Sequence, residues 1–96
     1  MGEKKKQSIE TDFEIRNKQG LHARPAALFV QTANQFESNF EILKDDAIVN
    51  GKSIMGIMTL AAEAGSTVRV RIQGADAPQA MLAIQKLFES NFGEAE

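Results

Sequence analysis

Ninety-six residues, 43% of them hydrophobic, suffice for one small domain with its own core. Eleven basic and 13 acidic side chains leave a net charge of −2, which argues against a general nucleic-acid binder. The lack of cysteine excludes disulfides and thiolate metal sites, the single histidine excludes a His-rich metal site, and no apolar run reaches the roughly 18 residues of a membrane span.

Residues 1–8 carry Lys4-Lys5-Lys6 with no apolar stretch after them. They are expected to form a disordered, solvated tail, not a secretory signal, so a cytoplasmic location is expected. Ile9, Thr11, Phe13 and Ile15 alternate and predict a first strand. Asn17 to Gly20 reads as a loop. From Pro25 onward, Ala26, Phe29, Val30, Ala33 and Phe36 make the apolar stripe of a helix, opposite Gln31, Asn34 and Gln35. Proline suits the first helical position, where its missing N–H has no partner to lose. Ser38-Asn39 ends this helix.

Phe40 and Ile42 begin a second strand, Asp45-Asp46 makes a hairpin corner, and Ala47 to Val49 returns. After the Asn50-Gly51 turn, Ser53 is an N-cap for a helix over Ile54 to Ala62, closed by Gly65-Ser66. Gly56 costs that helix roughly 1 kcal/mol against alanine. Val68, Val70 and Ile72 alternate with Thr67, Arg69 and Arg71, a strand with one dry and one wet face. Gly74 turns the chain, and Asp76 caps a last helix with Pro78 in its first turn. Its apolar face is Ala77, Met81, Ile84, Leu87 and Phe88. Gly93 stops it, leaving residues 94–96 as a frayed acidic end.

The order βαββαβα predicts an α+β open-faced sandwich over residues 9–93, a four-stranded antiparallel sheet with three helices on one face. No sequence feature marks a stable oligomer, so a monomer is expected.

Chemistry concentrates in Gly20-Leu21-His22-Ala23-Arg24-Pro25. A helix N-terminus offers free N–H groups and a positive dipole end to an anion. Imidazole is a nucleophile near neutral pH. His22 beside such a site, with Arg24 as a fixed cation, has the outline of a phosphoryl acceptor. On spacing alone the favoured reading is a plain N-cap histidine on a glycine-turned loop, since a histidine before a helix is common. Gly51-Lys52-Ser53 imitates the end of a P-loop, but five residues before Gly51 stands Asp46 instead of glycine, so no nucleotide site is expected.

Gly20-Leu21-His22-Ala23-Arg24-Pro25-Ala26 and Lys52-Ser53-Ile54-Met55-Gly56 together closely resemble the histidine-containing phosphocarrier (HPr) family of the bacterial phosphoenolpyruvate-dependent phosphotransferase system. The resemblance runs from about Ile9 to Gly93. It implies that His22 accepts a phosphoryl group on ring Nδ1 from enzyme I and passes it to an enzyme IIA domain for sugar uptake. It implies that Arg24 neutralises phosphoryl charge, and that Pro25 fixes the helix start so that N–H groups near Ala23, Arg24 and Ala26 face the phosphate. Such a protein is a phosphorylated intermediate, not a free-standing enzyme, and needs no cofactor or metal. The resemblance also makes Ser53, otherwise a plain N-cap, a regulatory target of HPr kinase/phosphorylase.

Ile57, Leu60 and Ala61 are expected to point inward, leaving Ile54, Met55 and Met58 outward beside His22. Methionines that merely fill the core are the alternative. At the family's docking positions, Ala27, Lys52, Ile54, Met55 and Met58 would meet enzyme I and enzyme IIA. Many family members carry lysines on the first helix, whereas no basic residue lies between Arg24 and Lys44 here. Steering toward acidic partners would rest on Arg24, Lys52 and Lys18.

Two other readings stand beside the carrier. One is a regulatory or nitrogen-branch protein of the same fold that binds transcriptional regulators according to its phosphorylation state. The other is a small phosphate-ester hydrolase, disfavoured because no carboxylate or amide flanks Arg24 in sequence.

Overall fold

The computed structural model describes residues 7–94. It contains β1 (Gln7–Glu14), α1 (Ala23–Ala33), β2 (Asn39–Lys44), β3 (Ala47–Asn50), α2 (Ile54–Thr59), β4 (Thr67–Gly74) and α3 (Ala77–Glu89), then a 3-10 turn at Asn91–Gly93. The strands form one antiparallel sheet in the order β1-β4-β2-β3. This is the expected open-faced sandwich.

Alternation places the layers. In β4, Val68, Val70 and Ile72 are buried while Arg69 and Arg71 lie on the opposite face. Register brings Phe13 opposite Val68, Ile9 opposite Ile72, and Phe40 and Ile42 opposite Ile72 and Val70. Their side chains meet Phe29, Ile57 and Ile84 from the three helices in one core. Phe29 and Phe40 pack edge to face at 6.2 Å, and Phe13 stacks on Phe88 at 4.2 Å. On the wet face Arg69 reaches Asp12 at 2.8 Å, and Arg71 bridges Glu10 at 2.9 Å and Glu41 at 2.8 Å.

Several boundaries differ from the sequence reading. Gln7 and Ser8 belong to β1, paired with Gly74 and Gln73, so the proposed tail is shorter. Its first six residues lie outside the described part, as do residues 95–96. The first helix starts at Ala23, placing Pro25 third, not first; a proline costs nothing anywhere in the first turn. Phe36 lies past the end of α1 and packs half-buried against the core.

Helix α2 stops at Thr59, well before Ala62. Ala61 takes the left-handed conformation (φ 52°) and faces solvent, so the inward residue is Ala62 instead. Burial of Leu60 and Ala62 on either side offsets that strain. Glu94 is not frayed: its side chain is anchored by Asn17 and abuts His22.

Asp76 precedes α3 as expected but does not cap it. Its carboxylate turns instead to the α1–β2 connection, accepting from the backbone N–H groups of Glu37 (2.9 Å) and Ser38 (3.0 Å) and from the Ser38 hydroxyl. Gly74, at φ 154°, makes room for this clasp, since a Cβ there would lie 2.3 Å from Ser38 Oγ. The Ser38 hydroxyl and these two N–H groups hold the Asp76 carboxyl below the ordinary carboxylate range. The clasp therefore stabilises the fold fully above the unfolded aspartate value, and the contribution is lost as pH falls through the lowered native value. Asp76→Asn should be less stable than wild type at neutral pH, and the gap should narrow below about pH 4. Urea unfolding at pH 7 and pH 3 checks this; a gap equal at both would contradict it.

Candidate functional site

The site starts with the Asn17–Gly20 loop. Gly20 N–H donates to Asn17 O (2.9 Å), and Leu21 N–H to Ala62 O (3.0 Å), tying the loop to the segment after α2. Gly20 has φ 71°, and a Cβ on it would lie 2.2 Å from Ala62 O. Glycine is thus the residue that lets the two segments approach. Leu21 is buried beside it, so the next side chain turns outward.

That side chain is His22, the N-cap residue of α1, with φ −82° and ψ −166°. Its carbonyl accepts the first helical bond, from Ala26 N–H at 3.0 Å. Its imidazole makes no capping bond and stays 34% exposed. The helix therefore forms without using the ring. The N–H groups of Ala23 and Arg24 belong to the first turn and have no helical acceptor. Pro25 has none to offer and is buried against the core. The Ala26 N–H, expected from the resemblance to face a phosphate, is occupied by His22 O, because the helix begins two residues early.

Arg24 is exposed and, among the described residues, carries no ion pair. It shares a shallow depression with Lys18, Gln19, His22, Gly93 and Glu94. A second depression, which His22 also lines, is bounded by Gln19, Leu21, Met58, Ala61, Ala62 and Glu63. His22 thus borders both a mainly polar hollow and one edged by α2.

The carboxylate that sequence spacing denied this region comes from the other end of the chain. Glu94 Oε2 lies 3.3 Å from His22 Nε2, and Glu94 Oε1 accepts from Asn17 Nδ2 at 2.6 Å. Asn91 and Phe92 deliver it by taking left-handed conformations (φ 55° and 56°). Burial of Phe92 edge to face on Phe88, at 4.9 Å, offsets that strain. Sequence reasoning missed both Asn17 and Glu94. Asn17 looked like a turn residue, and Glu94 lies 72 positions from His22 with no local pattern to connect them. In sequence Phe92 falls inside a helix read as far as Gly93, so it gave no signal; the structure ends α3 at Glu89.

Ile54, Met55 and Met58 are exposed by 40%, 74% and 41%, as expected, and Ile57 is buried. Met58 shares the second depression with His22; Ile54 and Met55 lie earlier on α2. Ala27 is half-buried on α1. Lys52 has intramolecular partners that the sequence did not suggest. Its Nζ donates to Phe36 O at 2.8 Å and lies 5.5 Å over the Phe40 ring, so the side chain is held against its own fold while both contacts, being to neutral groups, leave its charge in place. Ser53 caps α2, its Oγ accepting from Gly56 N–H at 2.9 Å. Among the described residues, no helix is long and apolar enough to cross a membrane.

The family described as the PTS HPr component phosphorylation site matches residues 9–90. The phosphocarrier protein HPr of Neisseria meningitidis (strain Z2491) is 50% identical over 88 residues, covering 92% of this chain and 99% of the relative. The HPr-like protein Crh of Bacillus subtilis is 49% identical over 73 residues, covering 76% of this chain and 86% of the relative. The crystal structure of HPr-C-His from Thermoanaerobacter tengcongensis superposes with a TM-score of 0.87 at 51% identity, covering 92% of this chain and 99% of that one.

Proposed function

The chain belongs to the HPr phosphocarrier family, and we propose that it works there as a monomeric carrier in the cytoplasm, taking a phosphoryl group on His22 from enzyme I and passing it to an enzyme IIA domain. The observation that carries this reading is an imidazole left uncapped at the N-terminus of α1, beside an arginine with no partner among the described residues. The phosphoryl group would meet the free N–H groups of Ala23 and Arg24, the positive end of α1 and the Arg24 guanidinium. In-line transfer between two histidines needs mainly positioning and charge neutralisation. Two N–H groups and one arginine form a modest cradle, which suits a carrier that must release its cargo at the next step. Ala27, Ile54, Met55 and Met58 would supply the apolar contact for both partners.

Passage of the group is the step that separates a carrier from a signalling protein. Phosphorylated protein mixed with an enzyme IIA domain should lose its phosphate to that domain within minutes, and Arg24→Ala should slow the exchange by about 100-fold. Phosphate that stays on His22 with every IIA domain tried would favour the regulatory reading. The identity with Crh and the Lys52-Ser53-Ile54-Met55-Gly56 segment support regulation as a second role. That role fits a protein of either the sugar or the nitrogen branch.

Ser53 is the residue through which we read that regulation. A phosphate at the start of α2 is compatible with the dipole, so the fold should survive, while a charge of about −2 beside Ile54 and Met55 should weaken docking. Ser53→Asp should unfold at nearly the wild-type urea concentration, aspartate being as good an N-cap as serine. It should accept phosphate from enzyme I at least about tenfold more slowly. Equal acceptance rates in a stopped-time assay would remove Ser53 as a control point.

A further inference from the structure

We propose that Glu94, held by Asn17, fixes the proton of the neutral His22 ring on Nε2 and so leaves Nδ1 as the nucleophilic nitrogen. The inference rests on His22 being the phosphoryl acceptor and adds two positioning residues to that reading.

One carboxylate bridges the two side chains. Its Oε2 is 3.3 Å from His22 Nε2 and its Oε1 accepts from Asn17 Nδ2 at 2.6 Å. Asn17 is itself 2% exposed, and the same Nδ2 donates to Asn91 O at 3.2 Å. The Asn17 carbonyl also accepts from Gly20 N–H, so the anchor sits in the loop that delivers His22. The Glu94 side chain is only 17% exposed, which weakens competition from water.

Two tautomers of neutral imidazole are available. With the proton on Nδ1, the Nε2 lone pair would face a carboxylate oxygen, a repulsive pairing. With the proton on Nε2 the same contact is attractive. Among the described residues, the other charged groups around the ring are Lys18, Arg24 and Glu63, which line the two depressions beside it. Among the described residues, Glu94 is the one that stands at ion-pair distance from a ring nitrogen.

The consequence for transfer follows from the electron count. The Nδ1 lone pair forms the new N–P bond as the donor phosphohistidine's N–P bond breaks, and that electron pair returns to the donor ring. His22 keeps its Nε2 proton and becomes a cation, which the Glu94 carboxylate offsets. On this assignment Glu94 acts through the ring, so its effect should fall on the transfer step and leave partner affinity unchanged.

Histidine ring 15N shifts, read by NMR at pH about 8.5 where an ordinary imidazole is neutral, test the proposal. Wild type should show mainly the Nε2–H form. Glu94→Ala should shift the ratio toward Nδ1–H by at least about threefold, the scale of a partly exposed charge contact. Asn17→Ala should shift it the same way by less, with circular dichroism confirming a folded protein. Glu94→Ala should also lower the maximal rate of phosphoryl acceptance while the enzyme I concentration for half-maximal rate stays put. A tautomer ratio unchanged in Glu94→Ala overturns the proposal even if His22 is phosphorylated. A shifted ratio in a protein that never takes phosphate overturns the carrier reading and leaves the tautomer assignment standing.

Discussion

A His22→Ala protein should take up no phosphoryl group from enzyme I and should unfold at nearly the wild-type urea concentration. The two halves of this expectation have separate physical grounds. Loss should be complete because no other imidazole exists in the chain, and a hydroxyl, amine or carboxylate cannot replace it as a phosphoryl acceptor poised near neutral pH. Stability should hold because the ring is not part of the fold's support. It makes no capping bond, is 34% exposed, and touches one carboxylate at 3.3 Å. Removing such a group costs within about 1 kcal/mol. Urea unfolding alongside a phosphorylation assay checks both. Uptake that persists in the variant would move the acceptor elsewhere.

The second large effect concerns the loop that aims the ring. Gly20→Ala should cost about 3 kcal/mol or more, against about 1 kcal/mol for Gly65→Ala. Both glycines have positive φ, 71° and 90°, so both variants carry the left-handed penalty. Only at Gly20 does the added methyl collide, 2.2 Å from the carbonyl oxygen of Ala62; at Gly65 nothing lies within 4 Å. A backbone carbonyl cannot swing aside as a side chain can, and this one already accepts from Leu21 N–H. Relief would require the His22 loop to part from the segment after α2, so the surviving folded protein should also accept phosphate slowly. Equal denaturation costs at the two positions would show that the contact with Ala62 does not matter.

How much of this was legible before the structure depended on whether a signal was local. Strand β4 was plain, because Val68, Val70 and Ile72 alternate with charged or polar neighbours. The exposed Ile54, Met55 and Met58 were read correctly from one simple constraint, that a short helix cannot bury every apolar side chain. His22, Arg24 and Ser53 were legible as motifs at helix starts. The missed features are long-range or depend on competing partners. Asp76 had the composition of a cap but found three better donors at Glu37 and Ser38, on a distant connection. Lys52 looked like a free cation until Phe36 O and the Phe40 ring claimed it. Ala61 gave no hint of a left-handed backbone, since alanine favours helix and only packing on both sides overrides it. Glu94 needed two left-handed residues and a buried Phe92 to reach His22, a path no periodicity encodes.

The central claim is that this chain carries a phosphoryl group on a ring nitrogen of His22. Its most direct test is intact mass of the wild-type protein after incubation with enzyme I, magnesium and phosphoenolpyruvate, repeated after brief acid and after alkali. The account predicts a single added phosphate, lost in acid and kept in alkali, as a phosphorus–nitrogen bond requires. An acid-stable phosphate, or none from an enzyme I that loads another HPr in the same tube, would contradict it.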